Sequence, residues 1–252
     1  MMFKNYLKIA WRNLANSKGY SFINIGGLAA GISIAILIGL WMYDELTYNT
    51  YHKNYDRIAQ VMNKGSFGGQ GFASAALQRP LEAELRNKYG SDFKYVVMSR
   101  WDEGHILSAG ETKISQVGRF MQPDAPDMLS LEMLKGTRAG LKDPSSILLS
   151  ASAAKAIFGD NDPVDQMMRI DNQMDVKVTG VYKDLPHSTE FSNVKFLSSW
   201  DLLLAHNKWM QDAADDWGNS SFLIYVQLQP NTTFEAVSAR IKNATHDNVE
   251  AV

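Results

Sequence analysis

The sequence predicts an α+β domain carried on one N-terminal membrane-spanning helix. Three observations predict it. Residues from Gly19 to Tyr43 carry no formal charge. The cations Lys4, Lys8, Arg12 and Lys18 are the only charges ahead of Asp44, so the first 43 residues carry +4 and the rest −6. Beyond that point, helical and strand-like patterns follow one another without strict alternation, which favours α+β over a doubly wound sheet.

Residues 1–18 read as a cytoplasmic amphipathic helix lying in the membrane interface. Phe3, Leu7, Trp11 and Leu14 share one side at helical spacing, and Lys4, Lys8 and Arg12 form a stripe beside them. An apolar flank toward acyl chains with cations toward headgroups makes membrane lipid an expected partner.

Residues 19–43 read as the span. Its apolar heart, Ile23 to Tyr43, is interrupted only by Asn24 and Ser33. A helix of that length rises about 31 Å, the thickness of a bilayer's hydrocarbon core. Tyr20 and Phe22 stand at one end, Trp41 and Tyr43 at the other, where aromatic rings prefer the headgroup level. A cleaved signal peptide would end in a small-residue cleavage site, and Leu40-Trp41-Met42-Tyr43 offers none. Positive charge before the span and Asp44-Glu45 after it place the N-terminus in the cytoplasm and the main domain outside. Within the span, Gly27, Gly31, Ala35 and Gly39 recur every four residues. Such a ridge lets another helix backbone approach closely.

Residues 44–252 read as the outer domain. Leu46 to Arg57, with Tyr48, Tyr51 and Tyr55, suggests the helix continuing as a stalk. A strand is expected from Arg57 to Asn63, then a flexible glycine-rich loop at residues 65–71. A helix follows over Ala73–Tyr89, with Pro80 a candidate for its true first turn. Strands are expected at Phe93–Arg100, His105–Ala109 and Thr112–Val117, the last two joined at Gly110-Glu111 as a hairpin. A short helix is expected over Asp127–Leu134. Ile147–Leu149 leads into a helix that Ser150 or Ser152 caps and Gly159 stops. Met174–Val181 and Phe222–Leu228 alternate as strands, and Thr232 or Thr233 starts a last helix.

No chemistry stands out. The chain has no cysteine, hence no disulfide or thiolate metal site. Its five histidines are scattered without metal-ligand spacing, and there is no nucleophile elbow. Asp212, Asp215 and Asp216 read as a solvated face or cap before they read as a calcium site. The glycine loop lacks the Gly-Lys-Ser/Thr that a phosphate-binding loop needs. Near-neutral net charge argues against nucleic acid as a partner. The expectation is a chain with no catalytic, cofactor-binding or metal-binding residue.

Several motifs resemble the MacB-like, FtsX-like permease subunits of ABC transporters. The opening Phe3-Lys4-Asn5-Tyr6-Leu7-Lys8-Ile9-Ala10-Trp11-Arg12-Asn13-Leu14 is similar to that family's start, as is Gly19-Tyr20-Ser21-Phe22-Ile23-Asn24-Ile25-Gly26-Gly27. Further matches are Tyr43-Asp44-Glu45-Leu46, Leu131-Glu132-Met133-Leu134-Lys135-Gly136, Ala154-Lys155-Ala156-Ile157-Phe158-Gly159 and Val178-Thr179-Gly180-Val181-Tyr182. The family usually has Gly-Lys where this chain has Asp165-Gln166, so a local difference in that turn is expected. Family members also continue into further membrane helices, so the chain is expected to be an N-terminal portion.

The resemblance implies a two-lobed periplasmic core domain, a porter-like lobe with a second lobe inserted at about residues 136–216. It further implies a bacterial inner-membrane location and an ABC ATPase subunit that hydrolyses ATP in the cytoplasm. Further permease helices, a homodimer and a periplasmic partner protein are also implied, with conformational change passed outward to drive efflux. The rival readings are a single-pass anchored binding or sensor module and an anchored periplasmic enzyme.

Overall fold

The computed structural model describes residues 2–249, except the side chains of Met2, Phe3, Leu7 and Phe67. It divides into two compact units between Tyr48 and Asn49. The fold class is the expected one, an apolar N-terminal helix followed by a mixed, β-rich domain.

The first unit is a pair of helices, α1 (Met2–Asn16) and α2 (Lys18–Thr47). They meet at Ser17, whose N–H donates to Asn13 O at 3.2 Å. Ser21 Oγ donates to the Leu14 carbonyl at 2.9 Å, satisfying one of the acceptors that the end of α1 leaves open. In a straight helix, residues seven apart have Cα atoms about 10 Å apart. This hydrogen bond therefore requires an elbow. Among the described residues, α2 is the helix long and apolar enough to cross a bilayer. Ile23, Leu28, Ile36 and Leu40 are all more than half exposed, a surface that water would penalise and lipid would not.

The second unit opens with a 3-10 turn at Tyr55–Arg57 and then runs β1 (Ile58–Gln60), β2 (Asn63–Phe67), β3 (Gln70–Ser74), β4 (Leu77–Gln78) and α3 (Pro80–Tyr89). Next come β5 (Phe93–Ser99), β6 (Glu103–Ala109), β7 (Thr112–Met121), α4 (Ala125–Met128) and β8 (Met133–Gly136). They are followed by β9 (Ser146–Ser150), α5 (Ala151–Phe158), β10 (Met167–Ile170), β11 (Met174–Tyr182) and β12 (Phe196–Ser199). The unit ends with α6 (Trp200–His206), α7 (Lys208–Asp212), β13 (Ser220–Leu228), α8 (Phe234–Ile241) and α9 (His246–Val249).

Four local expectations are corrected. The stalk does not form: α2 stops at Thr47, and Asn49 at φ 63 takes the left-handed conformation that ends helices. The glycine loop is the tip of a hairpin, β2 pairing with β3 around Gly68 and Gly69 at φ 59 and 81. Consecutive positive φ values suit a two-residue hairpin turn, and glycine adopts them without steric cost. The helix expected from Ala73 starts at Pro80, in the first turn where a missing N–H costs nothing. The helix expected over Asp127–Leu134 is over by Met128; Ser130 at φ 53 turns the chain into β8.

β5 lies between β13 and β7, and the far edge of β13 carries β1 and β4. Because strand side chains alternate, β13 feeds two cores. Ile224, Val226 and Leu228 pack with Leu81 and Leu85 of α3 and Val237 of α8, whereas Leu223 and Tyr225 join Val97, Met128 and Leu185 on the other face.

From β7 the strands close into a ring, in the order β7, β12, β9, β11, β10, β6 and back to β7. Members come from both sides of residue 136, since β6 and β7 precede it. One apolar cluster draws on every strand of the ring, including Leu107, Phe120, Ile147, Ile170, Val176 and Phe196. Small closed barrels are filled in this way. Gly118 is required by the packing, because a Cβ there would sit 2.1 Å from the Phe196 ring. The shortest joint, Arg169 and Ile170 of β10 against Ser108 and Leu107 of β6, is clamped by Asp171. Its carboxylate accepts from Ile106 N–H at 2.8 Å and from His105 Nδ1 at 2.6 Å. Asp165 takes φ 64, a conformation that aspartate tolerates, so that turn forms without the glycine.

Candidate functional site

The residues singled out in the first unit fall on two surfaces. On α1, Lys4, Lys8, Trp11, Arg12 and Leu14 are exposed, while the side chains of Phe3 and Leu7 lie outside the described residues. In the elbow, Trp11 and Leu14 of α1 face Phe22, Ile25 and Ala29 of α2 across an apolar trench of about 390 Å³. A second hollow of about 590 Å³, lined by Lys4, Lys8, Ile9 and Arg12, shares Trp11 with it.

The small-residue ridge lies elsewhere. At about 100° per residue, Gly27 and Gly31 fall on the side of α2 roughly opposite Phe22, Ile25 and Ala29, and the row drifts about 40° per step through Ala35 to Gly39. A Cβ built at Gly27, Gly31 or Gly39 meets nothing within 4 Å, so the ridge stays open.

In the second unit, the first residues are fastened at once. Asn49 N–H donates to Ser188 O at 2.7 Å, and Asn49 Oδ1 accepts from Glu190 N–H at 2.8 Å. His52, only 4% exposed, reaches Leu129 O through Nδ1 at 2.8 Å and Thr189 Oγ1 through Nε2 at 2.9 Å. A carbonyl can only accept, so Nδ1 carries the proton and Nε2 accepts from the Thr189 hydroxyl. Burial lowers the His52 pKa below its ordinary 6.5, although the Leu129 hydrogen bond and Glu190 pull the other way. The ring is therefore neutral at pH 7.

The same segment runs into a buried polar cluster. Arg119 of β7, 4% exposed, donates through Nε to Asp102 and through Nη1 to Tyr225 OH at 2.7 Å. Its Nη2 lies 3.5 Å from Glu190 Oε1, and its Cζ stands 4.6 Å above the Phe191 ring. Burial, with Glu190 nearby, raises the Tyr225 pKa well above the phenolic range, so the hydroxyl keeps its proton and donates it to Glu190. Phe191 also meets His52 edge-on, with ring centroids 5.8 Å apart. Residues 188–191 thus join the first residues of this unit to the place where β7 and β13 flank β5. Motif and spacing did not single out Asn49, His52, Arg119, Glu190 or Tyr225.

Among the described residues, no group of three or more His, Cys, Asp and Glu side chains could hold a metal ion. Asp212 pairs with Lys208, and Asp216 Oδ1 accepts from Gly218 N–H at 2.8 Å, which are structural roles. His206 Nδ1 is 2.9 Å from Leu202 O, a helix-end contact.

Comparison with known proteins adds a family and a fold. A family model described as MacB-like periplasmic core domain matches residues 21–244, from inside α2 through the second unit to the segment after α8. Three solved structures share the fold. A domain of a permease protein from Porphyromonas gingivalis is 18% identical, with TM-score 0.62 over 78% of this chain and 83% of that one. The periplasmic region of MacB from Actinobacillus actinomycetemcomitans is 16% identical, with TM-score 0.56 over 77% and 86%. The extracellular domain of the noncanonic ABC-type transporter YknZ from Gram-positive bacteria is 16% identical, with TM-score 0.50 over 69% and 86%. No curated protein sequence matched.

Proposed function

The chain belongs to the family of MacB-like periplasmic core domain proteins, and from that membership we propose that it is a membrane subunit of a MacB/FtsX-type ABC transporter. The observation that carries the proposal is one family match running from inside the apolar helix through the outer domain. α2 crosses the bacterial inner membrane with α1 on the cytoplasmic side and the second unit outside. A separate ABC ATPase hydrolyses ATP in the cytoplasm. The chain itself supplies no catalytic residue and needs no cofactor.

Its work is mechanical. The open ridge of Gly27, Gly31, Ala35 and Gly39 packs against further permease helices or a second copy, since small side chains allow close backbone approach. Movement of α2 reaches the outer unit along the chain at Asn49. There the hydrogen bonds of Asn49 and His52 pass the load to residues 188–191, and from them to Arg119 and Tyr225. A partner outside the membrane receives the motion, and export follows. Gentle detergent extraction from native membranes, with the tagged chain as bait, tests this. The chain is expected to bring down an ABC ATPase whose ATP turnover it alters. A chain recovered intact from the membrane with no nucleotide-hydrolysing partner overturns the proposal.

A further inference from the structure

We propose that the elbow between α1 and α2 binds one anionic phospholipid, its phosphate on Lys8 and Arg12 and one acyl chain in the trench. The inference rests on α2 being a membrane span and goes beyond it, because a span needs no particular lipid.

The shape and chemistry of the elbow carry the inference. Trp11 lines two adjoining hollows, both largely apolar, of which one carries cationic side chains and the other none. On one side the trench walls, Leu14, Phe22, Ile25 and Ala29, are apolar. The Ser21 hydroxyl proton is already committed to the Leu14 carbonyl at 2.9 Å, so the trench walls are largely apolar. On the other side Lys4, Lys8 and Arg12 line the adjoining hollow. Lys8 and Arg12 are one helical turn apart and both exposed. No acidic residue precedes Asp44 to neutralise them.

An occupant that uses both hollows is therefore apolar at one end and anionic at the other. A phospholipid with a net negative headgroup has that form. A second protein helix would fill the trench without using the cations. General attraction to an anionic surface would use the cations without needing the trench. The two requirements together define the lipid.

Native mass spectrometry of the full chain in detergent, titrated with phosphatidylglycerol and separately with phosphatidylcholine, tests the proposal. One phosphatidylglycerol per chain is expected to be retained, in clear preference to phosphatidylcholine. Lys8→Gln and Arg12→Gln should each weaken retention about five-fold. Ala29→Phe, which fills the trench and leaves the charge unchanged, should abolish retention. Inorganic phosphate should not compete, since it lacks the acyl chain. Equal retention of the two lipids, full retention by Ala29→Phe, or displacement by phosphate overturns the proposal. Alkaline carbonate extraction of the same membranes separates the premise from the inference. A chain that resists extraction but shows no lipid preference defeats only the lipid site, whereas a chain released by carbonate defeats the span.

Discussion

Arg119→Ala is expected to destabilise the second unit by about 3 kcal/mol, the lower part of the range for breaking a buried ion pair. The guanidinium holds together groups from three separate segments: Asp102 before β6, Glu190 before β12, and Tyr225 on β13. Its removal leaves both carboxylates without their cation and exposes the Phe191 ring on which it lies. Side-chain exposures of 30% for Asp102 and 37% for Glu190 let water recover part of the loss, which keeps the cost from reaching the top of the range. Arg119→Lys should also be poorly tolerated, because an ammonium cannot serve three partners in the plane of a guanidinium. Urea unfolding of the solubilised chain, followed by tryptophan fluorescence, checks this. Adding Glu190→Gln to Arg119→Ala should recover part of the loss; strictly additive losses would show that the two side chains are not coupled.

Acid is expected to loosen the fastening at His52. Its pKa is lowered in the folded state, so the unfolded chain takes up the proton first. The stability His52 contributes is therefore complete above pH 6.5 and falls as the pH drops from there toward the lowered folded value. His52→Gln should cost about 1–3 kcal/mol near pH 7.5, because the buried Thr189 hydroxyl and Leu129 carbonyl lose a fitted partner. It should also flatten the fall in unfolding midpoint below pH 6.5 relative to the unsubstituted chain. Identical pH profiles for the two proteins would contradict the assignment of a buried, neutral imidazole.

Both predictions concern residues that the sequence did not advertise, and the reason is physical. Features set by neighbours along the chain were legible: the uncharged run of α2, the alternation of β11 and β13, the Ser150 cap and the Gly159 stop of α5. Ser150 Oγ accepts from Ala153 N–H at 3.2 Å, as a capping residue should. Features set by distant partners were not. His52 meets Thr189 across 137 residues, and Arg119 meets Tyr225 across 106, and no local period encodes either. One signal was available. Arg119 stands in Val117-Gly118-Arg119-Phe120-Met121, and a charge inside a strand's apolar run asks for a buried counter-charge.

The hairpin of β2 and β3 was concealed by its glycines, which read as a loop because their strand pairing comes from backbone rather than side chains. The stalk failed for a related cause. Its aromatic spacing suits a helix, but the hydrogen bonds that Asn49 makes to Ser188 and Glu190 hold the chain in a turn. In the first unit, the ridge and the cation stripe were legible as patterns on single helices. The elbow that sets Trp11 against the face of α2 is tied by the Ser21 hydroxyl on the Leu14 carbonyl seven residues back, a pairing that no helical period encodes.

Two-sided cysteine labelling bears on the whole scheme most directly. The chain has no cysteine, so one introduced thiol reports one position. Lys8→Cys marks α1, and Glu111→Cys marks the exposed turn between β6 and β7. A membrane-impermeant maleimide added to spheroplasts should modify Glu111→Cys and leave Lys8→Cys untouched until the membrane is opened. Labelling of Lys8→Cys with Glu111→Cys protected, or of both before the membrane is breached, would contradict the assignment of α2 as a span with the folded domain outside.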